Sequence, residues 1–262
     1  MIPTMRVRAV HDRDELAALL RHHPTRHAYE LGDLDDPHWP HTTWYRHHNL
    51  IALLYHPTPV PSLLAFAAPE QHTEHHELLT ALAPLLPRRL HAHLSPGNAD
   101  ALRDAGYHIN TAAPFLRLAL TDPTRLPDPT PPRVETLTTA DLPRLHDLFQ
   151  AAYAGTWFDP ALLHAGQYVG VRHHDQLVAV AGVHVYSPTH SVAALGNVTT
   201  HPTARRRGLA RATVGALCAR LRHHVDHIAL NVAADNHAAL ALYHSLGFTP
   251  VAEFTDLFAT VD

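Results

Sequence analysis

The chain has 262 residues, 20 basic and 24 acidic side chains, a formal charge of −4 at pH 7 and 46% hydrophobic content, enough for two modest domains or one large one. Every basic residue is arginine, which excludes lysine Schiff-base and P-loop chemistry, and the single cysteine, Cys218, excludes an internal disulfide and multi-cysteine zinc or iron–sulfur centres. The acidic balance argues against a nucleic-acid partner, and apolar runs such as Leu50–Tyr55 fall far short of the roughly 18–20 residues of a membrane span.

In chain order, Met5–Val10 reads as a strand, and Arg13–His22 as a helix with Asp12 as cap and Leu16, Leu19 and Leu20 on one face. Strand-like runs follow at Thr42–Arg46, Leu50–Tyr55 and Leu63–Ala67, then a helix at Glu74–Leu86, a strand at Leu90–Leu94, a helix at Ala99–Ala105 and a strand at Phe115–Leu120. Five prolines between Thr121 and Arg133 (123, 127, 129, 131 and 132) forbid a helix or central strand there. The same order then repeats. Arg133–Leu137 is a strand, Ala140–Ala152 a helix capped by Thr139, and Tyr168–Arg172, Leu177–Tyr186 and Ser191–Thr200 are strands. Helix Gly208–Val225, strand His227–Val232, helix His237–Leu246 and strand Val251–Phe258 complete it. Gly106-Tyr107 and Gly247-Phe248 occupy equivalent places, where glycine suits a left-handed helix cap. The expected division is a domain at 1–122, a linker at 123–132 and a second domain at 133–262.

The opening Met1–Arg6 lacks an apolar core after a basic start, so no secretory signal is read there and the expected compartment is the cytoplasm. The 27 histidines are spread along the chain in pairs such as His22-His23 and His173-His174, a pattern that biased composition explains. His223, Asp226 and His227 have the best metal-ligand spacing, yet no metal is expected.

Chemistry concentrates in Asn197–Ala212. A β-branched strand end meets Pro202, and Arg205-Arg206-Arg207-Gly208 then leads into a helix whose stripe Ala210, Val214, Leu217, Cys218, Leu221 and Val225 is apolar. That stripe makes Cys218 a core thiol. Unpaired N–H groups and the dipole at the helix start, with three arginines and a glycine permitting close approach, suit a diphosphate. An ordinary solvated arginine run reads the same way when taken alone. A second segment, Leu230–Phe248, is a strand, a capped turn and a helix that puts Asn236 and Tyr243 on one face.

Together the two segments resemble the GCN5-related N-acetyltransferase (GNAT) family. Arg205-x-x-Gly208-x-Ala210 matches its acyl-CoA motif, and Asn236-x-x-Ala239-x-x-Leu242-Tyr243-x-x-Leu246-Gly247-Phe248 matches its second element. The resemblance covers Arg133 onwards, and the first half looks like a degenerate copy, without an Arg-x-x-Gly-x-Ala before Glu74, as in tandem GNAT proteins. The implied fold is α/β: two GNAT-like domains, each a mixed, mostly antiparallel sheet flanked by helices.

The resemblance implies an acetyl-CoA-dependent N-acetyltransferase with acetyl-CoA as co-substrate. Val198, Thr199, Thr200 and His201 would pair with the pantetheine arm, and the amides from Arg207 through Leu209, Ala210, Arg211 and Ala212 would hold the pyrophosphate beside Arg205 and Arg206. Asn236 would touch the CoA arm and Tyr243 would act as general acid. Asn231 and Ala193–Gly196 stand where branches of the family carry a carboxylate base, which leaves a histidine, best His184, a water relay or a neutral amine. Trp157, Phe158 and Asp159 border the implied acceptor site, with Tyr186 as a second lining. A small-molecule or peptide amine is the implied acceptor, and the protein a monomer or homodimer. A non-catalytic acyl-CoA-binding sensor or structural protein is the competing reading.

Overall fold

The computed structural model describes residues 7–56, 60–128, 134–153, 156 and 158–261. Met5, Arg6, Pro129, Pro131, Pro132, Arg133 and Trp157, all named above, lie outside the described residues.

The first half builds β1 (Arg8–Val10), α1 (Arg13–Leu20), α2 (Ala28–Gly32), β2 (Thr42–His47), β3 (Leu50–Tyr55), β4 (Ser62–Ala65), α3 (His72–Leu82), β5 (Arg89–Leu94), α4 (Ala99–Asp104) and β6 (His108–Leu120). The second builds β7 (Glu135–Thr136), α5 (Leu142–Ala152), β8 (Val169–His173), β9 (Gln176–Ser187), β10 (Val192–Thr200), α6 (Leu209–Leu221), β11 (His227–Ala233), α7 (His237–Ser245) and β12 (Phe248–Thr260). Each half thus repeats strand, helix, three antiparallel strands, helix, strand, helix, strand. The additional short helix α2 has too few residues to show a period. β6 begins well before Phe115 because its polar first half, with Pro114, carries no hydrophobic alternation.

Contacts divide the chain into two units, and the division differs from a simple cut at the prolines. Pro250–Asp262 and Val232–Asp235 join the first unit with Met1–Arg117, while Leu118–Asn231 and Asn236–Thr249 form the second. The expected boundaries at 122 and 133 miss this exchange because element order in a sequence does not reveal which sheet a final strand enters. In the first unit the strand order is β1-β2-β3-β4-β5-β12-β6, with β4 and β5 parallel and β12 antiparallel to β5. In the second it is β11-β10-β9-β8-β7, with only β10 and β11 parallel.

Local chemistry explains the element ends. Asp12 accepts from the amides of Asp14 and Glu15 to start α1, and Leu16, Ala17 and Leu20 face inward. The cap before α5 is Thr138, one residue earlier than expected: its hydroxyl accepts from Ala140 N while Asp141 accepts from Thr138 N at 2.9 Å. Gly247 has φ +91°, and a Cβ there would come 2.0 Å from the Asp122 carbonyl oxygen. Its own carbonyl accepts from the amides of Thr121 and Asp122. Only glycine allows that approach.

Leu257 and Ala259 of β12 are buried in the first unit's core with Leu54, Leu63, Leu78, Leu90 and Ala92. The first unit also holds a buried charge, Arg117, which pairs with Glu30 at 3.2 Å and sits 4.2 Å over the Phe66 ring. Among the described residues no helix is long and apolar enough to cross a membrane.

Because Leu257 is fully buried against β5, Leu257→Ala is expected to cost about 2–5 kcal/mol. The loss should appear as faster amide hydrogen exchange in β4 and β5 of the first unit, with β8–β10 unchanged. Acceleration confined to β8–β10 would contradict the assignment of β12.

Candidate active site

β10 is fastened to its neighbours unequally. It runs parallel to β11 only from Val192 opposite His227 to Leu195 opposite Leu230, where the register ends. On its other side it stays paired with β9 as far as Thr200 opposite Ala179, through a bulge between Gly196 and Thr199. The two parallel strands therefore part at Gly196, and Asn231 is the first residue of β11 beyond the last pair. The extended segment Val198–His201 lies past the last pair with β11, at a fork; His201 N still bonds Val178 O of β9, and the Thr200 carbonyl accepts from Arg205 Nε at 3.4 Å.

The bulge is built from a few side chains. Asn197 takes φ +52°, a left-handed conformation that asparagine tolerates better than most residues. Its Oδ1 accepts from the Tyr168 hydroxyl at 2.8 Å, and its Nδ2 donates to Thr156 Oγ1 at 3.3 Å. Tyr168 is fully buried, and its ring fills the place where a Cβ on Gly182 would stand, 2.1 Å away. Gly196, opposite Gly182 in the register, is crossed in the same way by the His184 imidazole at 2.2 Å. Two paired glycines thus make room for two rings. Burial pushes the Tyr168 hydroxyl up in pKa and pushes His184 down to about 4, although a hydrogen bond that the ring donates to Asn197 favours the charged imidazole.

Next to the fork, α6 begins without a side-chain cap. Gly208, which has no side chain to cap with, occupies the N-cap position at φ +75°. Ala212 N to Gly208 O is the first helical hydrogen bond, so the amides of Leu209, Ala210 and Arg211 precede it. By contrast, Asn236 Oδ1 caps α7 by accepting from Ala239 N at 3.1 Å. A Cβ on Gly208 would meet nothing within 4 Å, so the space above these amides is open. Arg205, Arg206 and Arg207 are exposed beside it, and Arg206 is itself left-handed at φ +62°. The Arg211 side chain turns away to the end of α7, reaching Ser245 Oγ at 2.7 Å. His201 caps the short turn Pro202–Ala204.

The other residues named from sequence distribute as follows. Tyr243 is buried on α7 with its ring 5.8 Å from Phe248. Thr199 Oγ1 and Thr200 Oγ1 are closed from solvent and have no hydrogen-bond partner among the described residues. Phe158 packs on Phe149 and Tyr168 at 5.2 and 5.8 Å, and with His146 and Tyr153 it lines a cavity of about 200 Å³. Asp159 is exposed and caps the turn Pro160–Ala165 through Ala161 N at 2.8 Å. Tyr186 meets His224, which follows the C-terminal end of α6, at the opposite end of that helix from Gly208. It is not brought to the fork. Cys218 is buried in the stripe of α6, its thiol pushed up to about 12 by burial, as befits a core residue. The sequence places Tyr168 and Asn197 on strands but does not show that they meet to build the bulge. Glycines inside strands at 182 and 196 were the signal that something crowds the sheet there.

The first unit has the same fork, since β4 and β5 part after Ala65 opposite Leu94. There, however, Ser95 fills it: its hydroxyl accepts from Ala67 N at 2.9 Å and lies 3.2 Å from Ala67 O. α3 starts after Pro69 and Gln71, with no glycine at its cap. That copy has closed its own opening.

Residues 132–248 match the sequence profile of the Acetyltransferase (GNAT) family. A curated relative, the [ribosomal protein bS18]-alanine N-acetyltransferase of Escherichia coli K12, is 31% identical over 134 residues, covering 49% of this chain and 88% of the relative. Among solved structures, a Drosophila protein superposes with a TM-score of 0.71 at 18% identity, over 97% of this chain and 98% of that one. A tandem GNAT protein from the clavulanic acid biosynthesis pathway gives 0.55 at 17% identity, over 98% of both chains. At those identities the two structures establish the fold, and both extend over the two halves.

The His184 shift has a pH signature. A folded-state pKa near 4, below the unfolded value near 6.5, means that stability from the neutral ring is full above about pH 6.5 and is lost as pH falls toward 4. Between pH 7 and 4.5 the wild type should therefore lose about 2–3 kcal/mol more than His184→Gln in urea unfolding. Parallel pH profiles for the two proteins would show that the ring is not held neutral.

Proposed function

The chain belongs to the GNAT acetyltransferase family and is an acetyltransferase, and from that premise we propose that it transfers the acetyl group of acetyl-CoA to an amine at the fork between β10 and β11. The observation that carries this reading is the glycine-started α6 beside a strand whose pairing with β11 has ended. Bound acetyl-CoA supplies an activated acetyl group and a thiolate leaving group. The amides of Leu209, Ala210 and Arg211, with the cations of Arg205–Arg207 and the helix dipole, hold its diphosphate. Val198–His201 offer their free edge to the pantetheine as a further strand. Asn236 keeps Oδ1 for its cap, which leaves Nδ2 for the arm.

Backbone N–H groups at the bulge polarise the thioester carbonyl, the amine attacks it, and Tyr243 protonates the departing thiolate. His184, with its basicity driven down by burial, suits the role of a positioning residue that holds the bulge, so the amine is taken to arrive neutral or to lose its proton through water. The acceptor class is an amine on a small molecule or a peptide. The E. coli relative's action on a ribosomal-protein alanine makes a peptide α-amine the first acceptor to try. Acetyl-CoA supply favours the cytoplasm as the place of action. The absence of a carboxylate at Ala193–Gly196 and at Asn231 favours a second reading, an acyl-CoA sensor without turnover.

Two variants test these roles. Gly208→Val places a β-branched side chain at φ +75° and into the open space above the amides, so CoA binding by calorimetry should disappear. Unchanged affinity would remove the diphosphate from this helix. Tyr243→Phe should lower turnover about 10²–10⁴-fold while CoA affinity stays within a few-fold. Equal losses in both would make Tyr243 a packing residue, and tight CoA binding without turnover on any amine would establish the sensor.

A further inference from the structure

In the first unit three side chains converge, two from one strand and one from a strand distant in sequence. His91 and His93 stand at i and i+2 on β5, so strand alternation puts both rings on one face. β12 runs antiparallel beside them, with Asp256 opposite His93 and Phe258 opposite His91. The Asp256 carboxylate receives both rings: His91 Nε2 lies 3.1 Å from Oδ1 and His93 Nε2 lies 3.0 Å from Oδ2. The three ligand atoms fall within 4.8 Å of one another. Side-chain exposures of 22%, 18% and 24% leave the cluster half-buried but reachable.

The ring planes are fixed from outside. Phe258 stacks on His91 at 4.5 Å and 21°, Phe254 leans on His93 at 4.8 Å, and the two imidazoles meet edge to face at 4.7 Å. From this geometry we propose that His91, His93 and Asp256 form a site for a borderline divalent transition-metal ion of the Zn²⁺ class. Two imidazole nitrogens and one carboxylate oxygen are the donors such ions take, and three protein ligands leave a fourth tetrahedral position to water. Ligand bonds of about 2.0–2.1 Å set neighbouring donors about 3.3 Å apart, close to the existing nitrogen–oxygen distances. The rings now face different oxygens of Asp256, so they and the carboxylate have to draw together on the ion.

Metal binding also requires the rings to move or release a proton. An ionised carboxylate only accepts, so in the metal-free protein both Nε2 atoms carry the ring proton. Metal binding moves that proton to Nδ1 or releases it. His93 Nδ1 is buried without a hydrogen-bond partner among the described residues, so its ring proton, once moved there, has no acceptor and the metal bond must offset that cost. The nearest buried cation, Arg117, lies beyond the Phe254 ring, 5.9 Å from its centre, and is offset by Glu30. His223, Asp226 and His227, the set with better sequence spacing, do not converge, and Asp226 is taken by the Ser191 hydroxyl at 2.8 Å. An ion at the new site would join strands 163 residues apart.

The test is a ZnCl₂ titration of untagged full-length protein against a chromophoric chelator, with thermal unfolding in parallel. One equivalent should bind and raise the melting temperature. Asp256→Asn and His91→Gln should each weaken that equivalent by at least about 100-fold, and His227→Gln should not. His91 lies at the rim of the cluster, so His91→Gln gives the readout if Asp256→Asn fails to fold. Co²⁺ in the wild type should give the intense visible bands of a tetrahedral nitrogen–oxygen site. Binding unchanged in both cluster variants, loss in His227→Gln instead, or a purely octahedral Co²⁺ spectrum would overturn the proposal.

Discussion

A strand inside a sheet must pair its N–H and C=O groups on both sides, and β10 stops doing so on one side after Leu195. Much of the second unit can be understood as the means of keeping that edge open. A bulge turns the strand end away from β11, and a bulge needs a residue content with a left-handed backbone, which Asn197 provides. Asn197 in turn is held by Tyr168, whose ring needs Gly182. Two glycines facing one another across β9 and β10 would weaken an ordinary sheet, yet here each is filled by a ring from a neighbour. α6 then aims its uncapped end at the opening. The open edge and the bare helix end are complementary: one presents extended backbone, the other presents amides and positive potential.

The comparison with the first unit shows how little is needed to lose such a site. Both units carry the same parallel pair that separates at the same relative place. Where the second meets its strand end only with a surface arginine, Arg205, at the Thr200 carbonyl, the first spends one serine hydroxyl, Ser95, on both polar groups of Ala67. Where the second has Gly208, the first has Pro69 and Gln71. The fold survives because the helices and strands that bury leucines are unaffected. The two copies differ in their treatment of a few backbone groups.

That difference also explains what could be read from the sequence. Long apolar periods, such as Leu50–Tyr55 and the α6 stripe, announce their elements because burial imposes the period directly. The glycine–arginine entry to α6 and the Asn236–Tyr243 face were legible because backbone conformation and helix geometry restrict which residues can stand there. Tyr168 and His184 were harder: a tyrosine at the start of one strand and a histidine in the next reveal their purpose only when the glycines opposite are in register. Tyr186 and Asp159 suited a pocket by residue type, but packing against His224 and a helix cap used them. The destination of β12 was invisible, since an alternating strand fits either sheet. Likewise His91, His93 and Asp256 become a cluster only through that strand's pairing.

The place of β12 couples the making of the protein to its folding. β5 is synthesised early, but its partner along Arg89–Leu94 is the stretch Thr255–Thr260. A nascent chain emerging from the ribosome therefore holds a nearly finished first unit with an uncovered strand edge and exposed leucines while the whole second unit is being translated. Closing that gap demands a loop of more than 150 residues, the kind of distant contact that slows folding and invites a neighbouring chain to pair instead. A chaperone's protection would matter most during that interval, and two nascent copies on one message would be placed to exchange their final strands.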